Sequence, residues 1–174
     1  ATHLAPVGLG WHPYFPKRSR SRLHIELTDR WENDASGLPT RRVPQPGIDG
    51  DVAHLGFDHC FEGWRGAARL RDEKMSLRLT SSLPYLVVFT PDTKPYYCVE
   101  PVSHVSNAIH MSDPVAHGLR AVEQHREMQP QLAGHAAGVA RVLVDVDAEQ
   151  HEARVAVLVV QLVQMRHLLP AGAA

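Results

Sequence analysis

Apolar residues recur at every second position in several short stretches of this 174-residue chain, and proline and glycine punctuate the gaps between them. Leu23, Ile25 and Leu27 alternate with His24, Glu26 and Thr28, and Met75, Leu77 and Leu79 alternate with Ser76, Arg78 and Thr80. A period of two marks a half-buried strand, whose successive side chains point to opposite faces. Ala68–Leu70 lies just upstream of the second stretch, across the polar Arg71-Asp72-Glu73-Lys74, which predicts a hairpin. Tyr85–Thr90 reads as a short buried strand and Tyr96–Val102 as another, with Tyr96, Cys98 and Glu100 on one face and Tyr97 and Val99 on the other. Pro39, Pro44, Pro46, Gly47 and Gly50 predict a long irregular connection from about 33 to 56, of the kind that covers a site. No segment before 119 carries helical periodicity. The expected fold class is all-β, an antiparallel β-sandwich.

The chain is compositionally two pieces. Its 3 Trp, 4 Tyr and 4 Phe all lie at or before Tyr97, so the last 77 residues hold none of these three types. Residues 121–174 contain 11 Ala and 10 Val. Val142, Val144 and Val146 alternate as a strand would, Val155–Val163 is a β-branched run, and the end, LLPAGAA, reads as frayed. The length suits one domain with a real core.

Charge and motifs exclude several functions. The net charge is −1, which argues against nucleic-acid binding. No run of 18 apolar residues is present, so no transmembrane helix is expected. The first residues lack a signal-peptide pattern, and the expected location is cytoplasmic. The absence of an initiator Met points to a processed or incomplete chain. Cys60 and Cys98 are too few for a disulfide scaffold and read as reduced, buried thiols. Gly8 and Gly10 begin a GxG, but Pro13 stands where a dinucleotide loop needs its third glycine. His54, His59 and Cys60 lack a second ligand pair, which leaves zinc unsupported. Lys17, Arg18, Arg20 and Arg22 read as a solvated strand edge.

Three segments carry the chemistry. In GLGWHPYFP (Gly8–Pro16), Pro13 holds His12 extended beside Trp11, Tyr14 and Phe15. Aromatic faces suit the apolar side of a sugar ring; the plainer reading of His12 is a core histidine with a backbone partner. In GFDHCFEGW (Gly56–Trp64), Asp58 sits among Phe57, Phe61 and Trp64. A carboxylate there needs a partner or a ligand, such as sugar hydroxyls; the plainer reading is a turn aspartate or an ion pair with Arg65. In YYCVEPVSH (Tyr96–His104), Glu100 interrupts an apolar strand, and Pro101 argues for a strand edge or end. A glutamate beside aromatics has a route to a raised pKa, useful for a general base; the plainer reading is a glutamate facing solvent.

Taken in order, these segments resemble the aldose 1-epimerase (galactose mutarotase) family. WHPYF resembles its H-x-Y-F segment, FDHCF its D-H-x-F segment, and YYCVEPVSHVSNAIH its glutamate-bearing strand with the polar loop that follows. The resemblance covers about residues 6–119. It implies a partial galactose mutarotase-like β-sandwich over 1–119, with 120–174 an atypical extension, from a reading-frame change or an unrelated source. It also implies interconversion of the α and β anomers of a free hexose, with Glu100 as base, His12 as acid and Asp58 binding the sugar. No metal or nucleotide cofactor is implied, and the expected partner is a small sugar, with neither nucleic acid nor membrane. The family's N-terminal half, with a further active-site histidine and an arginine, has no counterpart here, and His3 is no substitute. A half-sandwich would expose sheet edges and favour self-association. Hexose-6-phosphate epimerisation, glycoside hydrolysis by Asp58 and Glu100, and sugar binding without catalysis are the competing functions.

Overall fold

A computed structural model of the protein describes residues 3–124 and 142–147, with side chains over 6–120. These residues form thirteen strands and two short 3-10 turns. The strands are β1 (His3–Val7), β2 (Tyr14–Pro16), β3 (Arg22–Ile25), β4 (Asp29–Asn33), β5 (Pro39–Pro44), β6 (Ile48–Asp51) and β7 (Asp58–Glu62). There follow β8 (Ala67–Arg71), β9 (Ser76–Ser81), β10 (Tyr85–Phe89), β11 (Tyr96–Val102), β12 (Arg120–Gln124) and β13 (Val142–Asp147). A six-stranded sheet runs β2-β11-β10-β7-β4-β5, a five-stranded sheet runs β13-β9-β8-β3-β6, and β1 pairs with β12. Every pairing is antiparallel.

The expected strands form, and for the expected reason. Leu23 and Ile25 are buried while Arg22 and His24 are exposed, and Leu77 and Leu79 are buried while Ser76 and Arg78 are exposed. β8 and β9 are the predicted hairpin. The alternating strand predicted at Val142–Val146 is β13, an edge of the five-stranded sheet. The run Val155–Val163 lies outside the described residues.

The main core fills the space between the two large sheets. Leu23, Ile25, Ala68, Leu70, Leu77 and Leu79 from one sheet meet Phe15, Phe61, Leu86, Val88, Tyr97 and Val99 from the other. Each fully buried side chain of this size contributes about 1.5–3 kcal/mol of hydrophobic stabilisation. A smaller cluster, centred on Trp31, Cys60, Val105, Ala108 and Leu119, lies where the 103–119 loop covers one end of the six-stranded sheet's other face.

Residues 33–56 are not one irregular connection. They hold β5 and β6, each at a sheet edge. Pro39 and Pro44 bound β5, and an edge strand tolerates proline because one row of its backbone groups has no partner to lose. Prolines and glycines that read as a loop therefore frame strands. Pro101 is another departure. It is penultimate in β11, as a strand end requires, yet β11 is flanked on both sides. Its carbonyl accepts from the Trp11 amide at 3.0 Å, so its missing N–H faces the stretch before β2, where the pairing is already broken.

Leu70 has no exposed surface and pairs with Leu23 and Leu77 on the two neighbouring strands. Leu70→Ala is expected to cost about 2–5 kcal/mol. Urea unfolding followed by far-ultraviolet circular dichroism checks this; a loss under about 1 kcal/mol would place Leu70 outside the load of the core.

Candidate active site

The site lies on the outer face of the six-stranded sheet, and cross-strand register assembles it. Tyr14 pairs with Cys98, and an isolated bridge joins Gly10 to Val102 in the same register. Between them His12 falls opposite Glu100. On the other side of β11, Glu100 is opposite Val87 and Cys98 is opposite Phe89. Val87 in turn faces Cys60, and Phe89 faces Asp58. His12, Glu100 and Asp58, which stand far apart in the sequence, thus share one face, with Asp58 diagonal to Glu100 across β10.

His12 Nε2 lies 3.4 Å from Glu100 Oε1. The Glu100 side chain is 12% exposed and that of His12 33%, so the pair is reachable from solvent while its carboxylate is largely dehydrated. Burial, assisted by the charge of Asp58, pushes the Glu100 pKa up to about 8. The Tyr14 ring stacks on the imidazole, with centroids 4.7 Å apart and planes at 14°. Tyr96 meets Tyr14 edge to face at 5.1 Å. These rings hold the imidazole plane and give the site a flat apolar border. His12 Nδ1 is buried and has no hydrogen-bond partner among the described residues, so the backbone-satisfied core histidine is not what forms.

The loop after β11 closes one side of the site. Ser103 N donates to Leu9 O at 2.8 Å, Leu9 N donates to Ser103 Oγ at 2.8 Å, and Val105 N donates to His117 O at 3.0 Å. Val105, Ala108 and Leu119 then pack over Trp31 and Cys60, with Val87 against them. Val87 is the residue beside Glu100 on the neighbouring strand, so this cover keeps water from that flank. Further along the face, Trp31 Nε1 donates to Glu62 Oε1 at 2.7 Å, and Arg42 Nη1 donates to Glu62 Oε2 at 3.2 Å. An open groove of about 380 Å³ lies on a different part of the molecule, near the β3–β6 edge, and holds none of the three residues.

Asp58 differs from its expected setting. It is exposed, not enclosed by aromatics, because Phe57 and Phe61 alternate to the core face. Arg65 pairs with Glu26 at 3.5 Å, not with Asp58. Of the aromatics around His12, only Tyr14 stacks on it; Phe15 is in the main core. Cys98 is free and buried, as expected, and stands beside the pair. Burial, and then the Glu100 charge, pushes its pKa up to about 12. The period of two that puts Cys98 and Glu100 on one face already carried that neighbourhood. No helix among the described residues is long and apolar enough to cross a membrane.

Comparison with known proteins identifies the family of the chain. The family described as aldose 1-epimerase matches residues 1–117. The chain is 27% identical over 122 residues to the uncharacterized protein YphB of Escherichia coli strain K12, covering 60% of this chain and 42% of that one. Its fold superimposes on a galactose mutarotase-like protein from Clostridium acetobutylicum with a TM-score of 0.62 at 17% identity, covering 83% of this chain and 48% of the other. A galactose mutarotase-like protein from Lactobacillus casei gives a TM-score of 0.55 at 18% identity, covering 83% and 54%. The chain spans less than half the length of YphB and about half of each of those structures. With the fold, the ordered segments and the family match in agreement, the chain belongs to the aldose 1-epimerase family.

Proposed function

We propose that this site interconverts the anomers of a free hexose, with Glu100 as general base and His12 as general acid. The observation that carries the reading is the 3.4 Å approach of His12 Nε2 to Glu100 Oε1. The two oxygens of a hemiacetal are bonded to the same carbon, so an acid and a base that act on them together must themselves lie within a few ångströms. Glu100 as carboxylate removes the C1 hydroxyl proton, and the C1–O5 bond breaks as C1=O forms. His12 as imidazolium delivers its proton to the departing ring oxygen. The aldehyde carbon rotates about C1–C2, and the hydroxyl re-adds to its other face. His12 takes back the proton from O5 and Glu100 returns one to O1. Both side chains end as they began, and no redox partner is needed.

The remaining features serve this chemistry. In the competent form the imidazole carries the proton that goes to the ring oxygen and Glu100 is the carboxylate that accepts one. A raised carboxylate pKa matches the base to the working pH. Asp58 accepts hydrogen bonds from sugar hydroxyls and orients the ring, a positioning effect. Tyr14 and Tyr96 offer a surface for the apolar side of a galactose- or glucose-type ring. Free sugar as the partner follows from this reading.

Polarimetry of freshly dissolved α-galactose tests it. Glu100→Gln and His12→Asn are each expected to lower the rate by about 10²–10⁴, while Asp58→Ala weakens sugar binding by about 10–100-fold. Methyl galactosides, which have no C1 hydroxyl proton, should stay unchanged. Wild-type turnover by Glu100→Gln, or release of reducing sugar from a glycoside, would overturn the assignment.

The raised Glu100 pKa also has a stability signature. Its folded value of about 8 lies above the unfolded value near 4.5. The folded state therefore holds the proton more tightly, and the associated stability is full below pH 4.5 and lost as the pH rises through 8. Glu100→Gln does not titrate and keeps it. Thermal melts are expected to show the two proteins alike near pH 4.5 and the Gln variant increasingly the more stable up to pH 9. The difference is on the order of a few kcal/mol. A gap that stays constant across this range would show that Glu100 titrates normally.

A further inference from the structure

The proposed reaction uses two of three ligating side chains that meet at this spot. Cys98 shares a sheet face with Glu100, two positions along β11, and one ligating atom each from His12, Cys98 and Glu100 lies within 4.8 Å of the others. We propose that these three side chains bind a thiophilic divalent cation, zinc above all, and that this cation reversibly inhibits the enzyme.

The distances suit a tetrahedral ion. Zinc takes nitrogen and oxygen ligands at about 2.0–2.2 Å and thiolate at about 2.3 Å. Tetrahedral angles then put a nitrogen and an oxygen ligand about 3.4 Å apart and sulfur about 3.6 Å from either. His12 Nε2 and Glu100 Oε1 already stand at 3.4 Å. The longest separation in the cluster, at most 4.8 Å, closes by about 1 Å through side-chain rotation of the partly exposed imidazole. The mixed nitrogen, sulfur and oxygen set favours zinc over magnesium or calcium, which prefer oxygen alone. Three ligands leave a fourth position for water.

The surroundings favour a cation as well. No protein group competes for the imidazole, since Nδ1 is buried without a partner among the described residues and Nε2 faces only Glu100. On binding, the Cys98 thiol and any protonated Glu100 release their protons to solvent. Two anionic ligands then neutralise the ion's charge, and the repulsion between Asp58 and the buried Glu100 is relieved. A cation held here occupies both groups that the proposed reaction needs. Inhibition thus rests on that reading; cation binding does not.

Cadmium supplies a readout of its own, because a cadmium–thiolate bond absorbs in the ultraviolet. The full chain is titrated with cadmium, and then with zinc in competition. One equivalent should develop the thiolate band, and Cys98→Ala and Cys98→Ser, each checked for folding by circular dichroism, should abolish it. His12→Asn keeps the thiol but should weaken zinc binding by more than about 100-fold. Cys60→Ala should leave the band intact. Zinc should slow mutarotation by the wild type and not by Cys98→Ala, and galactose should weaken zinc binding. A missing band, a band that follows Cys60, or zinc affinity unchanged in folded Cys98→Ala would overturn the site. If the protein proves inactive on sugars, the band and its loss still decide whether the cation binds. A band without inhibition of an active enzyme would overturn the inhibitory role.

Discussion

The register between β2 and β11 is the constraint on which the site depends. It is held by few contacts. The Ser103 amide donates to the Leu9 carbonyl and the Leu9 amide to Ser103 Oγ, Trp11 N donates to the Pro101 carbonyl, and the ladder resumes at Tyr14 and Cys98. His12 and Pro13 lie in the gap between these anchors, and there the imidazole falls opposite Glu100. A slip of one residue would carry His12 to the core face and bring Phe15 out, because side chains alternate with a period of exactly two residues per repeat. Phe15 is locked on the core side against Tyr97 at 5.6 Å. Hydrophobic packing on one face of the sheet therefore fixes the alignment of polar groups on the other.

The same arrangement makes the carboxylate costly. A glutamate on an open sheet face would be hydrated. Here the 103–119 loop covers Val87 and Cys60 beside it, and Asp58 adds a second negative charge from across β10. Gly118 permits the cover, since it adopts φ +90° and an added Cβ would stand 2.1 Å from the Ser103 carbonyl oxygen. The loop can thus lie flat enough to pack Leu119 onto Trp31. Groups whose desolvation is maintained by such packing give up some stability for a proton affinity suited to exchange near neutral pH.

The alternation of Leu23, Ile25, Leu77 and Leu79 revealed the five-stranded sheet because one face of each strand is buried and the other wet. β4 carries no such alternation, because Trp31 is the one buried residue in the polar run Asp29–Asn33. β5 and β6 read as loop because edge strands admit the prolines and glycines that mark loops elsewhere. Within the site, the shared face of Cys98 and Glu100 was readable from local periodicity. The pairing of His12 with Glu100 was not, since a register spanning nearly ninety residues leaves no local trace; only the family resemblance joined them. The exposed setting of Asp58 has a geometric reason. Phe57 and Phe61 are odd-numbered neighbours of an even-numbered residue, so in a strand they leave it for the opposite face.

The pairing of β1 with β12 joins residues more than a hundred positions apart. Closing so long a loop costs entropy before any ladder bond compensates for it, and among the described residues neither strand belongs to a larger sheet. This ribbon is accordingly expected to form late in folding and to open early under stress. Its amides should exchange with solvent sooner than those of the central strands, because opening it leaves both large sheets and their shared core intact.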